Sequence, residues 1–291
     1  MDAIYRTVTS ILFSIMSALG IQMPPATWEL HPAIDGRTVS LTFSDHPHSS
    51  HGATIAIDDF EGLRPLLKAN GPARFRLKRD AGVFEFDGVI RAGVGGGTME
   101  FGPSETFATE LAKRGFEKPS RIEQLKMAWH DTGFALIDEL AAHKYQRPTL
   151  QQLVNAGDHG IDRVYVRQMS AAGYDLGSVD ALVRQHDHGV DAKYVGDLAS
   201  LGLKGLSADN LVRARDHGIS PDYIRDMASL GYKTLTIDDL VRMRDHGVHA
   251  AWLRIVKDRN PGTLTIDQLV SLRDHGVETL QELRRRTGGS T

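Results

Sequence analysis

The sequence predicts an α+β protein, in which a small antiparallel β domain is followed by an α-solenoid of 29-residue helix–turn–helix repeats. Two observations lead to this prediction. Between residues 27 and 101, apolar and polar residues alternate in several short segments, as expected of strands with one buried face. From Thr149 onward, the sequence repeats with a constant period of 29 residues. We therefore place the β domain at 27–103 and the helical repeats at 104–291, with degenerate units at 104–148 and regular units from 149.

The alternation is clearest in five segments, and one buried face per segment favours an antiparallel sheet. The predicted strands are 39–43, 53–57, 75–77, 83–86 and 98–101. Glycine-containing turns at Ala81-Gly82 and from Gly93 to Gly97 are predicted to separate the last three strands. Residues 63–69 are predicted to form one short helix against the sheet.

Composition limits the chemistry that the chain can perform. The 291 residues include no cysteine, which excludes disulfides, thiolate catalysis and cysteine-ligated metal sites. The formal net charge is −3, and residues 146–291 carry 19 basic and 19 acidic side chains. A chain without a basic surplus is not expected to bind nucleic acid.

Residues 1–26 have the pattern of an export signal or a membrane anchor. No charged residue occurs from Thr7 to Trp28, and the segment from Val8 to Leu19 is mostly apolar. Ala18-Leu19-Gly20 has the small residues that a signal peptidase accepts. An amphipathic helix packed on the fold is the alternative, and Asp2 counts against export. We therefore expect an extracytoplasmic protein, either periplasmic or attached to the membrane through its amino terminus.

The first helix of the carboxyl-terminal part is predicted from Glu105 to Arg114, with Ser104 as its N-cap and Gly115 as its left-handed end. Farther on, the tripeptide Asp-His-Gly marks each repeat. Its five copies lie at 158–160, 187–189, 216–218, 245–247 and 274–276. A serine or threonine before each copy is predicted to N-cap the first helix of its unit. These residues are Thr149, Ser178, Ser207, Thr236 and Thr265.

A second helix is predicted in each unit. In one unit it begins at Pro221, where the missing N–H costs nothing, and Gly231 ends it. In the next unit, Asn260 occupies the position of that glycine and is predicted to adopt the same left-handed conformation. Because neither helix of a unit can bury its apolar stripe alone, neighbouring units are expected to stack.

The Asp-His-Gly copies contain two residue types that bind metals, yet their spacing argues against a metal site. Adjacent side chains point about 100° apart on a helix, and equivalent histidines of stacked units are expected about 10 Å apart. We predict instead that each imidazole helps to cap the free carbonyls of its own helix. A pH-sensitive stability is a separate hypothesis. The predicted cap residues are His159, Gly160, His188, Gly189, His217, Gly218, His246, Gly247, His275 and Gly276.

One local cluster has plausible ligand chemistry. His46, His48 and His51 follow Asp45 on a predicted loop, and three imidazoles with a carboxylate suit zinc, copper or nickel. A solvated histidine-rich turn is the simpler interpretation, so the metal site is kept as an alternative. Asp131-Thr132-Gly133 matches the aspartic protease tripeptide, but no second copy supplies the partner carboxylate. No cofactor is expected.

The chain resembles a group of uncharacterised bacterial proteins in which a β segment precedes Asp-His-Gly helical repeats. The β segment reads Phe-Arg-Leu-Lys-Arg-Asp-Ala-Gly-Val-Phe-Glu-Phe-Asp-Gly at 75–88, and the best repeat spans 211–232. Similar modules are found as extracytoplasmic tails of membrane metallopeptidases of the β-lactam sensor-transducer type. This chain has no His-Glu-x-x-His sequence. The resemblance therefore implies the sensor or partner-binding part without the peptidase.

Taken together, these features predict a non-enzymatic scaffold that binds a protein or a peptide. The candidate contact residues are Arg184, Arg213 and Arg242, which occupy one non-core position in successive units. A structural spacer without a specific ligand is the first alternative. A metal-binding protein that uses the histidines between His46 and His51 is the second.

Overall fold

The computed structural model describes residues 26–46, 49–260 and 262–287. Residues 1–25, which contain nearly all of the predicted export signal, lie outside the described residues, as does His48. Within the described part of the chain, every helix is too short or too polar to cross a membrane.

The amino-terminal part forms one antiparallel sheet of seven strands in the order β3-β2-β1-β7-β6-β5-β4. The strands are β1 Ala26–Pro32, β2 Thr38–His46, β3 Ser49–Ala56, β4 Phe60–Glu61, β5 Gly71–Arg79, β6 Gly82–Arg91 and β7 Val94–Pro103. The five predicted strands are confirmed and extended, whereas β1 and β4 were not predicted. The predicted helix at 63–69 is reduced to one turn, α1 Leu63–Leu66.

Alternation in the strands buries one face of the sheet. Along β5, Ala73, Phe75 and Leu77 are buried while the residues between them are exposed. The ring of Trp28 from β1 meets Phe75 and Phe86 edge-on, at centroid distances of 5.2 and 5.9 Å. Such edge-to-face contacts add about 0.5–1.5 kcal/mol each to the free energy of burial.

The glycine-rich segment from Gly93 to Gly97 is a correction to the predicted turn. Only Gly93, with φ of +83°, lies in the turn between β6 and β7, and the other glycines lie within β7. A Cβ atom at Gly97 would stand 2.0 Å from the carbonyl oxygen of Asp87. At Gly97, close approach of the β6 and β7 backbones, and not a change of direction, therefore requires glycine.

Two helices belong with the sheet. Contacts divide the chain into two compact units, of which the first ends at Gly133 and the second begins at Phe134. The first unit therefore includes α2 Glu105–Lys113 and α3 Arg121–Trp129 beyond the predicted limit of the β domain at 103. Helix α3 packs on β5, β6 and β7, and the Trp129 ring lies 4.6 Å from that of Phe43.

The second unit consists of helices, most of them nine residues long. They are α4 Phe134–Ala142, α5 Leu150–Asp158, α6 Arg163–Ala171, α7 Val179–Asp187, α8 Ala192–Ser200, α9 Ala208–Asp216, α10 Pro221–Ser229, α11 Ile237–Asp245, α12 Ala250–Arg259, α13 Ile266–Asp274 and α14 Leu280–Thr287. Helices two apart in the chain pack against each other. Thus α4, α6, α8, α10 and α12 are in contact in succession. On the other side of each hairpin, α5 contacts α7, α9 contacts α11, and α11 contacts α13. We call α4–α14 the helix array.

The predicted helix ends are largely confirmed. Each predicted serine or threonine N-cap accepts a hydrogen bond from a backbone N–H three residues on, as Thr236 does from Asp239. The five Asp-His-Gly glycines have φ between +62° and +74°. The left-handed conformation predicted for Asn260 is wrong, because its φ is −126°.

The side chain of Asn260 performs the capping that its backbone does not. Its Nδ2 donates to the carbonyls of Val256 and Glu278, each at 2.7 Å, and its Oδ1 accepts from the N–H of Leu280 at 3.0 Å. Because Asn260 is 6% exposed, these hydrogen bonds form away from solvent. They join the end of α12 to the start of α14.

Candidate functional site

The helix array holds the Asp-His-Gly residues and the candidate contact arginines, and its units are joined by recurring polar contacts. A unit is defined here as the segment from one serine or threonine N-cap to the residue before the next. The units therefore begin at Thr149, Ser178, Ser207, Thr236 and Thr265.

The histidine of Asp-His-Gly joins one unit to the next. In four copies the imidazole Nδ1 lies 2.5–2.8 Å from an aspartate Oδ1 that is 28 residues later. That aspartate is the first residue of the next Asp-His-Gly. The pairs are His159–Asp187, His188–Asp216, His217–Asp245 and His246–Asp274. We call this series the His–Asp ladder.

The ladder corrects the predicted role of the imidazoles. Each histidine is the residue at the end of its helix, as predicted, but four of the five side chains contact the following unit. Only His275 contacts its own helix, through the carbonyl of Ser271 at 2.8 Å. Neither the spacing of histidine from histidine across units nor that of aspartate from its neighbouring histidine within a unit reveals this pair. The pair joins the histidine of one unit to the aspartate of the next.

The three candidate contact arginines take part in a second series. Arg184 donates to Asp209 and Arg242 to Asp267, both at 2.5 Å, and Arg213 donates to Asp238. Each aspartate lies 25 residues after its arginine, in the next unit. The arginine side chains remain 43–50% exposed. They are therefore accessible, but their charge is compensated within the array.

Buried tyrosines form a third series. The hydroxyls of Tyr165, Tyr194 and Tyr223 donate to backbone carbonyls 25 residues later, at 2.8–2.9 Å. Each acceptor follows the glycine of an Asp-His-Gly copy. Burial raises the pKa of Tyr194 and that of Tyr223 to about 12, so these phenols stay protonated near neutral pH.

Three other arginines differ from those of the Arg–Asp series. Arg215, Arg244 and Arg273 place their guanidinium groups 3.7, 5.1 and 5.4 Å from the ring centroids of Tyr194, Tyr223 and Trp252. We call them the stacked-arginine row. The equivalent residue one unit earlier is His186, whose ring meets Tyr165 edge-on at 5.0 Å. Arg215 and Arg244 each lie two residues after a paired arginine of the same helix. Arg273 occupies the equivalent position in the next unit.

A groove of about 280 Å³ opens beside Arg215. It is lined by Asp191, Lys193, Tyr194, Asp197, Arg215, Pro221, Asp222 and Arg225. A larger groove of about 700 Å³ lies on the exposed face of β4–β7, in the part of the chain that ends at Gly133. Ion pairs cross the larger groove, between Arg74 and Asp87 and between Arg76 and Glu61, both at 2.7 Å. The arginines that line this groove are thus already paired with its carboxylates.

A hydrogen-bonded series that the sequence did not reveal joins α4 to α6. The Oγ of Ser170 lies 2.6 Å from Nδ1 of His143, whose Nε2 lies 3.2 Å from Oε1 of Glu139. These residue types are those of a nucleophile, a base and an acid. Arg167, however, donates twice to Glu139 and lowers its pKa. Ser170 also lies in the last turn of α6, which presents carbonyl oxygens instead of the N–H groups that stabilise an oxyanion.

The histidines predicted as metal ligands lie at the β2–β3 hairpin. His46 is the last residue of β2, and His51 lies in β3 opposite Phe43, on which its ring stacks at 4.8 Å. The predicted loop is therefore shorter, because both strands extend into it. Within the ranges that the structure describes, no group of three histidine, aspartate or glutamate side chains is placed to hold a metal ion. His48 lies outside those ranges.

Comparisons with protein-family models, with curated proteins and with solved structures find no match to this chain.

Proposed function

We propose that this chain is a non-enzymatic binding protein, whose helix array is an α-solenoid that presents a repeated surface to a protein or peptide partner. The observation that carries the proposal is the recurrence of the same polar contacts between units. Histidine meets aspartate 28 residues later at four successive junctions, and tyrosine meets a carbonyl 25 residues later at three.

Recurrence of this kind favours binding because it fixes the geometry between neighbours. Contacts that repeat at constant separation give each junction the same arrangement, so equivalent surface residues follow one another at regular intervals. Such a row of sites suits an extended partner, because one segment contacts several units at once. The array supplies rigidity, and the exposed residues supply selectivity.

A regulatory role outside the cytoplasm is part of the proposal. It rests on the uncharged amino-terminal segment and on the resemblance to the tails of membrane metallopeptidases. Fractionation of the native host, with amino-terminal sequencing of the mature protein, tests the location. A mature protein that begins near residue 21 is the expected result, and an intact amino terminus in the cytoplasmic fraction would contradict it.

The experiment that tests binding uses the full-length chain. A phage-displayed library of random dodecapeptides is panned on the immobilised protein, and enriched sequences are synthesised and titrated by isothermal calorimetry. We expect saturable binding with Kd on the order of 1–100 µM, typical of short peptides on preformed surfaces. Hydrogen–deuterium exchange with the bound peptide should then show protection within residues 134–287.

A structural spacer is the second candidate. It is favoured by the pairing of Arg184, Arg213 and Arg242 with aspartates of the next unit, which stiffens the array and occupies the predicted contact residues. The same experiment separates the two candidates. If no enriched peptide binds the protein in solution, the spacer is the better explanation. Protection confined to the sheet would instead place the binding site in the compact part of the chain that ends at Gly133.

A further inference from the structure

The positive charges of the stacked-arginine row are not compensated by ion pairs in the part of the chain that the structure describes. Arg215, Arg244 and Arg273 have no carboxylate oxygen within 4.0 Å among the described residues. By contrast, Arg213, which lies in α9 with Arg215, pairs with Asp238. Two arginines of one helix, separated by a single residue, therefore differ in whether their charge is satisfied internally.

The carboxylates that line the groove beside Arg215 are each engaged by another group. In the groove beside it, Asp197 accepts from Lys193 at 2.7 Å and Asp222 from Arg225 at 2.5 Å. Asp191 accepts from the N–H of Tyr194 at 2.7 Å as the N-cap of α8. The Nε atom of Arg215 is buried without a hydrogen-bond partner. The guanidinium is thus held against Tyr194 by stacking alone.

The acidic character of this environment decreases toward the carboxyl terminus. The positions equivalent to Asp191, Asp197 and Asp222 at the Arg273 junction, 58 residues later, are His249, Ile255 and Leu280. Ile255 is 41% exposed, which is unusual for isoleucine in this array. At the positions equivalent to those that line the groove beside Arg215, the Arg273 junction therefore has no carboxylate, so an anion there is expected to meet less repulsion than beside Arg215.

The three guanidinium groups are carried by helices that pack side by side, since α9 contacts α11 and α11 contacts α13. Packed helices are about 8–10 Å apart, so successive members of the row are separated by about that distance. An extended peptide in the polyproline II conformation advances about 3.1 Å per residue with three residues per turn, so every third side chain lies on one face and meets the next member. Stacking on an aromatic ring also holds each planar guanidinium in place, which reduces the entropy lost on binding a carboxylate.

We propose that the stacked-arginine row binds an extended acidic peptide segment with a carboxylate at every third residue. The inference rests on the proposed function, because it names the partner class of the same array. A peptide fits better than a nucleic acid, since the repeats carry no net charge and three separated cations match few phosphates. The paired arginines Arg184, Arg213 and Arg242 provide a matched comparison, because they are carried by the equivalent first helices of successive units but are already paired with aspartates.

The test measures fluorescence anisotropy of a labelled peptide in which three glutamates are separated by pairs of glycine and serine. The triple variant Arg215→Gln/Arg244→Gln/Arg273→Gln is compared with Arg184→Gln/Arg213→Gln/Arg242→Gln, which removes the same charge. Exposed ion pairs contribute about fivefold or less each, so we expect the first variant to weaken binding about 30-fold. The second variant should change the affinity less than about threefold. A peptide of the same composition with three contiguous glutamates should bind the wild-type chain more weakly.

Several outcomes would overturn the inference. They are the absence of saturable binding to the spaced peptide, an equal loss of affinity in both triple variants, and equally tight binding of a single-stranded oligonucleotide. If the first variant is not folded by circular dichroism, Arg244→Lys serves instead, because it keeps the charge and removes the stacked plane. It should weaken binding about threefold, and an unchanged affinity would count against the row. If panned peptides bind without competition from the glutamate peptide, the proposed function stands and this inference fails.

Discussion

The Nδ1 atom of His217 lies 2.6 Å from the Oδ1 atom of Asp245, a residue 28 positions later in the chain. The separation is one residue short of the 29-residue period, so the histidine of one Asp-His-Gly meets the aspartate of the next. The tripeptide therefore has two functions. Its glycine ends a helix in the left-handed conformation, and its two polar side chains connect neighbouring units.

This connection predicts a specific energetic coupling. In a double-mutant cycle, His217→Ala and Asp245→Ala should be coupled by about 0.5–1 kcal/mol, as expected for a partly exposed pair. The pairing of His217→Ala with Asp274→Ala is the control, because Asp274 belongs to the next rung and contacts His246. Urea denaturation followed by circular dichroism measures both cycles. Equal coupling in the two cycles would show that the contact at this junction is not the cause.

The buried tyrosine hydroxyls predict a larger loss of stability. Tyr194→Phe removes the donor to the carbonyl of Ile219 and leaves that carbonyl buried without its partner. The free energy of unfolding should fall by about 1–2 kcal/mol. Arg225→Ala on the exposed surface of the neighbouring helix is the control and should change it by less than about 0.5 kcal/mol. A Tyr194→Phe protein as stable as the wild type would mean that the hydroxyl contributes nothing to the junction.

The same tyrosines predict a loss of stability in alkali. Burial raises the pKa of Tyr194 and that of Tyr223 to about 12, whereas an unfolded tyrosine titrates near about 10. The folded state therefore retains protons that the unfolded state has lost. Stability from these groups is complete below about pH 10 and is lost as the pH rises toward about 12. Absorbance at the phenolate band, recorded with circular dichroism, should show these tyrosines ionising together with unfolding; ionisation near pH 10 in the folded protein would contradict the burial.

The glycines of β7 predict a steric effect in the sheet. Gly97→Ala would place a Cβ atom 2.0 Å from the carbonyl oxygen of Asp87, so the β6–β7 pairing must shift. We expect a loss of about 3 kcal/mol or more in the free energy of unfolding. The control is Gly52→Ala in β3, where the nearest atom to the new Cβ is 3.5 Å away. That variant should be close to neutral, and comparable losses in the two variants would refute the steric explanation.

The hydrogen bonds of Asn260 predict that replacing it with glycine is destabilising, although Gly231 occupies the equivalent position in the unit before. If its role were a left-handed helix end, Asn260→Gly would be neutral or stabilising. Because its side chain instead bonds Val256, Glu278 and Leu280, the variant should lose about 2 kcal/mol or more. Thermal unfolding by calorimetry measures the difference. Gln281→Gly, at an exposed position of α14, shows how much of the loss comes from glycine flexibility alone.

Local patterns in the sequence were enough to predict five strands and the ends of the repeated helices. Alternation of apolar residues reports which face of a strand is buried, and a serine, threonine or glycine at a helix end acts through atoms within a few residues. The residues that produce these signals are therefore all close together in the sequence. The prediction of a turn from Gly93 to Gly97 was wrong because glycine also permits close approach of two backbones, and the backbone that approaches Gly97 lies on β6.

The sequence by itself therefore determined the two regions of the chain, the 29-residue period and the residues that begin and end most of its helices. The tertiary structure decided which side chains meet. It paired His217 with Asp245, neutralised Arg213 with Asp238 and left Arg215 stacked on Tyr194 without a carboxylate partner in the described part of the chain. The physical reason is that a helical period places a side chain on a face, whereas an ion pair or a stacked ring depends on the offset between two neighbouring helices. That offset is set by the packing of both units together.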